Sequence, residues 1–200
     1  MPSLVTISAA VEGLVDEAAV RRLIACAGGH PGPVYGKNGK PALRQKMNGY
    51  NNAAMHAPWV VLVDLDADAE CAPLLRQGWL QAPAPQLCFR VAVRQVEAWL
   101  MADAETLATY LSVGRHAIPA DPEALPNPKV EMVKLARQSR RGAIRQDMVP
   151  RPGSGRPVGP AYTSRLIEYA DRHWRPEVAA QRADSLRRAI ECLRRIVEQA

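Results

Sequence analysis

Aromatic side chains are scarce in this chain, with one Phe, five Tyr and four Trp among 200 residues. A core built with so few rings has to rest on Val, Leu, Ile and Ala. Paired cysteines are also missing. Cys26, Cys71, Cys88 and Cys192 are scattered, and none forms a C-x-x-C pair, which argues against a zinc ribbon or a redox dithiol. Scattered thiols fit a reducing cytosol. His30, His56, His116 and His173 are isolated from one another and read as surface or capping residues. No stretch approaches the about 20 apolar residues that a membrane span needs. Met1-Pro2-Ser3-Leu4 lacks a basic region followed by a long apolar run, so no signal peptide is expected. These absences point to a cytoplasmic protein with no membrane partner. No internal repeat is present.

The length suits one domain, or one domain with an appendage. Folding should then bury roughly 70% of the unfolded chain's surface, so no disulfide or metal staple is needed. Charge is unevenly placed. Residues 1–128 carry 10 Lys and Arg against 12 Asp and Glu, whereas residues 129–200 carry 16 against 8. A slightly acidic first part and a basic last part suit a protein that handles polyanions, nucleic acid among them. A solvated Arg-rich helical surface would give the same count.

The stretch Val60-Val61-Leu62-Val63-Asp64-Leu65-Asp66-Ala67-Asp68 organises the chain. Its apolar run reads as a strand buried on both faces, ending in an acidic turn. An earlier strand is predicted at Leu4–Ser8, ending at Val11-Glu12-Gly13. The helix after it runs over Val15–Ala27, where Val15, Ala19, Leu23 and Ala27 recur every four residues before Gly28-Gly29. Pro33–Gly36 reads as a short second strand, Ala42–Met55 as a helix weakened by Asn48-Gly49, and Cys71–Trp79 as the helix after the organising strand. Leu87–Val93 is a fourth strand, and Gln95–Asp103 begins a helix with Val96, Trp99 and Leu100 on its apolar face.

Alternation of strands and helices predicts an α/β fold, a mostly parallel four-stranded sheet flanked by helices over residues 1–111. Residues 112–200 then form a helical, Arg-rich extension packed on it. Helices are expected at Val130–Ser139, Thr163–Trp174 and Pro176–Gln199, the last with Leu186, Ile190, Leu193 and Val197 on one stripe. Residues 140–160 lack periodicity. They read as a mobile basic loop carrying Arg140, Arg141, Arg145, Arg151 and Arg156, candidates for contact with nucleic acid.

The carboxyl edge of a parallel sheet is where ligands bind. That edge should collect Glu12, Asp64, Asp66 and Glu97. Two unit charges about 4 Å apart repel by about 4 kcal/mol at an effective dielectric near 20. Such a cluster needs a cation or raised pKa values. Mg²⁺ or Mn²⁺ suits hard oxygen donors. Glu12, Asp64 and Asp66 are therefore candidate ligands, and Glu97 a candidate second ligand or water-orienting base. The plainer alternatives are that Asp66 and Asp68 cap the next helix and that Glu97 pairs with Arg94 on a solvated face. Lys37-Asn38-Gly39-Lys40-Pro41 is a basic glycine turn without the Ser or Thr of a P-loop. Lys37, Lys40 and Arg94 are candidate phosphate contacts, or parts of an exposed loop.

Val11-Glu12-Gly13 with Asp16-Glu17, followed by Val63-Asp64-Leu65-Asp66, resembles the Toprim domain of topoisomerases, primases and overcoming-lysogenization-defect nucleases. The Glu97-Ala98-Trp99-Leu100-x-Ala102-Asp103 run resembles a small uncharacterised prokaryotic Toprim-like family. The likeness covers about residues 1–105 and is less specific beyond. It implies a Toprim-like (Rossmann-like) fold, Mg²⁺ at Glu12, Asp64 and Asp66, and phosphodiester cleavage or transfer. By analogy of fold it also implies an ATPase partner protein in mobile-element or phage-defence systems. A topoisomerase needs a tyrosine nucleophile on a separate domain, for which this length leaves no room, and primase-type accessory modules are missing. Hydrolysis by an activated water then remains. No lysine closely follows the D-x-D, so a lysine at the phosphate would be Lys37 or Lys40, brought in by the fold. Two alternatives carry the same residues: an inactive Toprim shell that binds nucleic acid or a partner, and a hydrolase of small phosphate compounds.

Overall fold

Along the organising strand, Val60 and Leu62 enter one apolar core while Val61 and Val63 enter another, as the two-residue period of a strand requires. The computed structural model describes residues 5–199 and shows what covers each face. Strands β1 (Thr6–Val11), β2 (His30–Gly36), β3 (Trp59–Asp64) and β4 (Leu87–Ala92) form one parallel sheet in the order β2-β1-β3-β4. One face packs against α2 (Lys40–Gln45), α3 (Met47–Ala53) and α4 (Ala72–Trp79) through Leu43, Met47, Tyr50 and Leu75. The other is covered by α1 (Leu14–Cys26) and, within one continuous apolar cluster, by the helices after β4. Those are α5 (Val96–Ala102), α6 (Ala104–Leu111), α7 (Pro128–Arg137), α8 (Gly142–Met148), α9 (Tyr162–Arg172), α10 (Pro176–Ala179) and α11 (Asp184–Gln199). The fold is α/β, Rossmann-like, with both sheet faces covered. No described helix is long and apolar enough to cross a membrane.

Among the described residues, those after 111 share the core on the α1 face of the sheet. Leu166, Tyr169, Trp174, Leu186 and Leu193 join the cluster that holds Ile7, Leu23 and Leu62. Buried hydrogen bonds tie the parts together. The Ser185 hydroxyl accepts from the Trp99 indole N–H at 2.7 Å and from the Val93 N–H at 3.2 Å, and it donates to Glu123. Glu123 in turn accepts from the N–H groups of Asp184 and Ser185 and so caps α11.

Several expected boundaries moved. The first strand begins at Thr6, and Leu4, like the rest of the start of the chain, lies outside the described residues. The expected helix over Ala42–Met55 is two helices hinged at Lys46. The expected loop at 140–160 contains α8. Ile144 and Met148, four apart, are buried there, but the arginines between and around them hid the stripe. The expected closing helix from Pro176 is broken before Asp184, where Glu123, distant in sequence, supplies the cap.

Gly36 ends β2 with φ +86°, and an added Cβ would sit 2.2 Å from the Val11 carbonyl oxygen. Both the dihedral and the close approach of β1 exclude a side chain. Gly36→Ala is expected to cost at least about 2 kcal/mol of unfolding free energy, read by urea titration. A change within 0.5 kcal/mol would show that the strand ends are free to separate.

Candidate functional site

The strand order reverses between β1 and β3, because β1 leads outward to β2 and β3 leads outward to β4. Ligand crevices of open α/β sheets form at such a point, beyond the carboxyl ends of the strands. Glu12 follows β1, Asp64 ends β3, Asp16 lies in the first turn of α1, and Glu97 in the first turn of α5. Asp16, Asp64 and Glu97 line one cavity of about 350 Å³ together with Lys129 of α7 and Tyr162 of α9. Pro157 and Val158 form part of its wall.

Each acid is held by named donors. Glu12 Oε1 accepts from the Asp64 N–H at 2.8 Å, which ties the end of β1 to the end of β3. Asp64 Oδ1 accepts from the Val96 N–H at 2.9 Å, which ties β3 to the start of α5. Glu97, 4% exposed, accepts from the Tyr162 hydroxyl at 3.2 Å and lies 3.6 Å from the Lys129 ammonium. It makes no pair with Arg94, whose guanidinium donates to the Asp66 carbonyl at 2.8 Å and braces the turn after β3.

The electrostatics are those of a site short of positive charge. Burial first, then the charges of Asp16 and Glu97, pushes the Asp64 carboxyl well above its ordinary range. Burial and Glu97 raise Asp16 to about 6. Burial raises Glu12 to about 7 against the opposing bond from Asp64 and the Lys40 charge. Burial works against the Lys129 ammonium, yet Glu97, Asp64 and Asp16 together raise its pKa.

Asp66 belongs to a different group. Its φ of +49° turns the chain after the strand, a conformation that Asp tolerates better than most residues. Its side chain accepts from Lys40 Nζ at 2.6 Å and from Gln95 Nε2 at 2.8 Å. Lys40 also donates to Asp68 at 2.7 Å and lies 3.9 Å from Glu12. Its ammonium thus already neutralises the outer part of the acidic edge. Neither Asp66 nor Asp68 caps α4, which starts after Cys71 with no side-chain cap.

The structure therefore gathers Glu12, Asp64 and Glu97, and it sets Asp66 beside them with its own lysine. It places Lys40 at the acids but turns Lys37 to Glu17, 3.0 Å away on α1. Of the arginines expected at nucleic acid, Arg141 and Arg145 donate to the carbonyls of Tyr110 and Ser139. Arg140 is exposed near the end of α7, while Arg151 and Arg156 are exposed on the segment that leads to Pro157 and Val158 at the cavity.

Asp16, Lys129 and Tyr162 were missed as site residues. Asp16 lies in the first turn of α1, four residues after Glu12, and its closeness in sequence to an edge acid was a usable signal. Lys129 and Tyr162 arrive on helices far along the chain and carry no local mark. Among the described residues, no group of three or more His, Cys, Asp or Glu side chains is already arranged to hold an ion. In kind, the donors fit a hard divalent cation: the acids bring oxygen only, and no His or Cys lines the cavity.

Compared with protein-family models, characterised proteins and solved structures, the chain matches none. The functional reading rests on the site itself.

Proposed function

We propose that this chain hydrolyses phosphodiester bonds in nucleic acid with Mg²⁺ or Mn²⁺ at the acidic edge. One observation carries the reading. Asp16, Asp64 and Glu97, drawn from three separate elements, share a cavity whose lining brings a single lysine against them. Buried carboxylates in excess of cations are destabilising, and a cation removes the penalty. Asp64 with Asp16 or Glu97 would hold the ion together with the substrate phosphate, with Glu12 fixing the end of β3. Bound there, it supplies positive charge against the substrate phosphate and acidifies a water molecule.

The chain's own residues do the rest. The Lys129 ammonium would neutralise charge on a phosphate oxygen there, and Gln95 holds the start of α7 by accepting from the Lys129 backbone N–H at 3.1 Å while donating to Asp66. Tyr162 fixes the rotamer of Glu97. Arg156, next in sequence to Pro157 of the cavity wall, and Arg151 on the same segment offer exposed positive charge for flanking phosphates.

The test is purified protein on single-stranded DNA, RNA and plasmid with Mg²⁺ or Mn²⁺. Cleavage that stops with EDTA and with Asp64→Asn supports the reading. Cleavage that survives both, or salt-sensitive binding with no cleavage by the wild type, overturns it, and the latter is the signature of an inactive binding shell. Lys129→Met should lower the rate about 100-fold, and Lys129→Arg should recover part of it. Equal rates for all three would remove Lys129 from the machinery.

A second reading, hydrolysis of a small phosphate compound, is favoured by the size of the cavity, which is no larger than a small-ligand pocket. Turnover of mononucleotides at rates above those for strands would select it.

A further inference from the structure

Beside the acidic edge, on the α2–α4 side of the sheet, lies a larger cleft of about 900 Å³ that the proposed reaction does not use. Lys40 and Asp66 line it, and Lys40 also lies 3.9 Å from Glu12, which bonds the Asp64 N–H, so a short run of polar contacts leads from this cleft to the acidic cavity. Its far wall is Arg44, Leu74 and Trp79. Phe89 backs the Trp79 ring from the core, with centroids 5.9 Å apart. Arg44, exposed on α2, lies over the same ring with its guanidinium carbon 5.8 Å from the centroid. Leu74 is 51% exposed and presents an apolar surface to the cleft.

We propose that this cleft binds an unpaired nucleobase of a single-stranded nucleic acid whose backbone runs to the acidic cavity. The inference rests on the phosphodiester reading above and names its substrate class. Three features select this occupant. An arginine held against an indole presents a flat cationic surface, on which bases stack whatever their sequence. Leu74 supplies an apolar contact for the base edge. Asp68, its side chain 52% exposed, offers an acceptor for exocyclic amino groups beside the lysine that balances it. A base inside a duplex is already stacked on both faces and cannot enter. A phosphate on a rigid duplex is also poorly placed to reach carboxylates as buried as Glu97. The flexibility of a single strand satisfies both spaces at once.

The test uses a mixed-sequence 12-nucleotide DNA, the same strand annealed to its complement, and an abasic strand of equal length. Binding is read in EDTA by fluorescence anisotropy, and cleavage is read separately in Mg²⁺. The expected result is that the abasic strand and the duplex bind at least about tenfold more weakly than the single strand, the scale of one stacked base. Trp79→Ala and Arg44→Glu should each weaken the single strand by a similar factor, Trp79→Ala leaving the abasic strand unchanged and Arg44→Glu weakening it less, because only the backbone charge acts there. Arg44 is exposed, so its variant keeps the test decisive if Trp79→Ala does not fold. Equal binding of abasic and normal strands, or single-strand affinity unmoved by Arg44→Glu, overturns the proposal. Cleavage indifferent to Asp64→Asn would overturn the hydrolytic reading instead, whichever way the binding data fall.

Discussion

Asparagine at position 64 is expected to abolish metal-dependent cleavage and, at the same time, to make the metal-free protein more stable. The amide keeps the acceptor for the Val96 N–H but removes the charge at the centre of the cluster. Loss of one electrostatic contact of this kind costs a reaction about 100-fold or more. The gain in stability follows from proton linkage. Glu12, Asp16 and Asp64 all hold protons more tightly in the folded chain than in the unfolded one. Above about pH 4 the unfolded chain has released these protons while the folded chain still binds them. Stability must therefore fall as pH rises. The fall continues through about pH 6 for Asp16 and about pH 7 for Glu12, and further for Asp64. A rise of this size in one carboxyl corresponds to about 3 kcal/mol, and the interacting sites do not add simply.

Urea unfolding at pH 5 and pH 8 in EDTA checks this directly. The wild type should be the less stable at pH 8, Asp64→Asn should flatten the difference, and Mg²⁺ at pH 8 should restore the wild type far more than the variant. Wild-type stability that rises from pH 5 to pH 8, or Mg²⁺ stabilising both proteins equally, would show that the acids do not share one field.

Truncation of Asp103 to alanine has the largest expected effect on stability alone. Asp103 is fully buried between α5 and α6. It accepts from the Arg175 N–H at 3.1 Å, from Arg175 Nε at 3.0 Å and Nη2 at 2.8 Å, and from the Thr106 N–H at 3.5 Å. Burial alone would raise its carboxyl, but the bonds from Arg175 and Thr106 outweigh it and hold the pKa below the ordinary value. Removal empties a buried position and takes the acceptor from the Arg175 and Thr106 N–H groups, although the Arg175 guanidinium keeps Glu105 and contact with solvent. The cost is about 2–4 kcal/mol, a fall in thermal midpoint of roughly 8 °C for a chain of this size. The sign with pH is opposite to that of the acidic edge. A lowered carboxyl stabilises above its unfolded pKa near 4 and loses that contribution as pH falls through its folded value. Asp103→Ala should accordingly be closest to the wild type in strong acid. A loss under 1 kcal/mol at pH 7 would mean that water replaces the carboxylate as acceptor for Arg175.

Much of this architecture was legible in the residues. The apolar run Val60–Val63 and the alternation of strands with helices were enough for a parallel α/β sheet, because a strand buried on both faces has no other common home. The order of acids, Glu12 after the first strand and Asp64 at the end of the third, was enough to place both at one edge. Asp66 was read with Asp64 because both fall in the acidic turn that closes the strand, at the edge where ligands bind. The strand ends at Asp64, and the positive φ of Asp66 turns its carboxylate to Lys40.

By itself, the sequence determined the sheet, its buried strands and the edge where charge would collect, since these follow from local patterns of apolar and acidic residues. Only the tertiary structure decided which charges face one another. Lys129 and Tyr162 reach the cavity on helices that follow the sheet, Lys40 rather than Lys37 meets the acids, and Ser185 and Asp103 lock distant helices together. Such pairings depend on how helices cross once their apolar faces are buried, and a side chain's partner across the core leaves no mark on its neighbours in the chain.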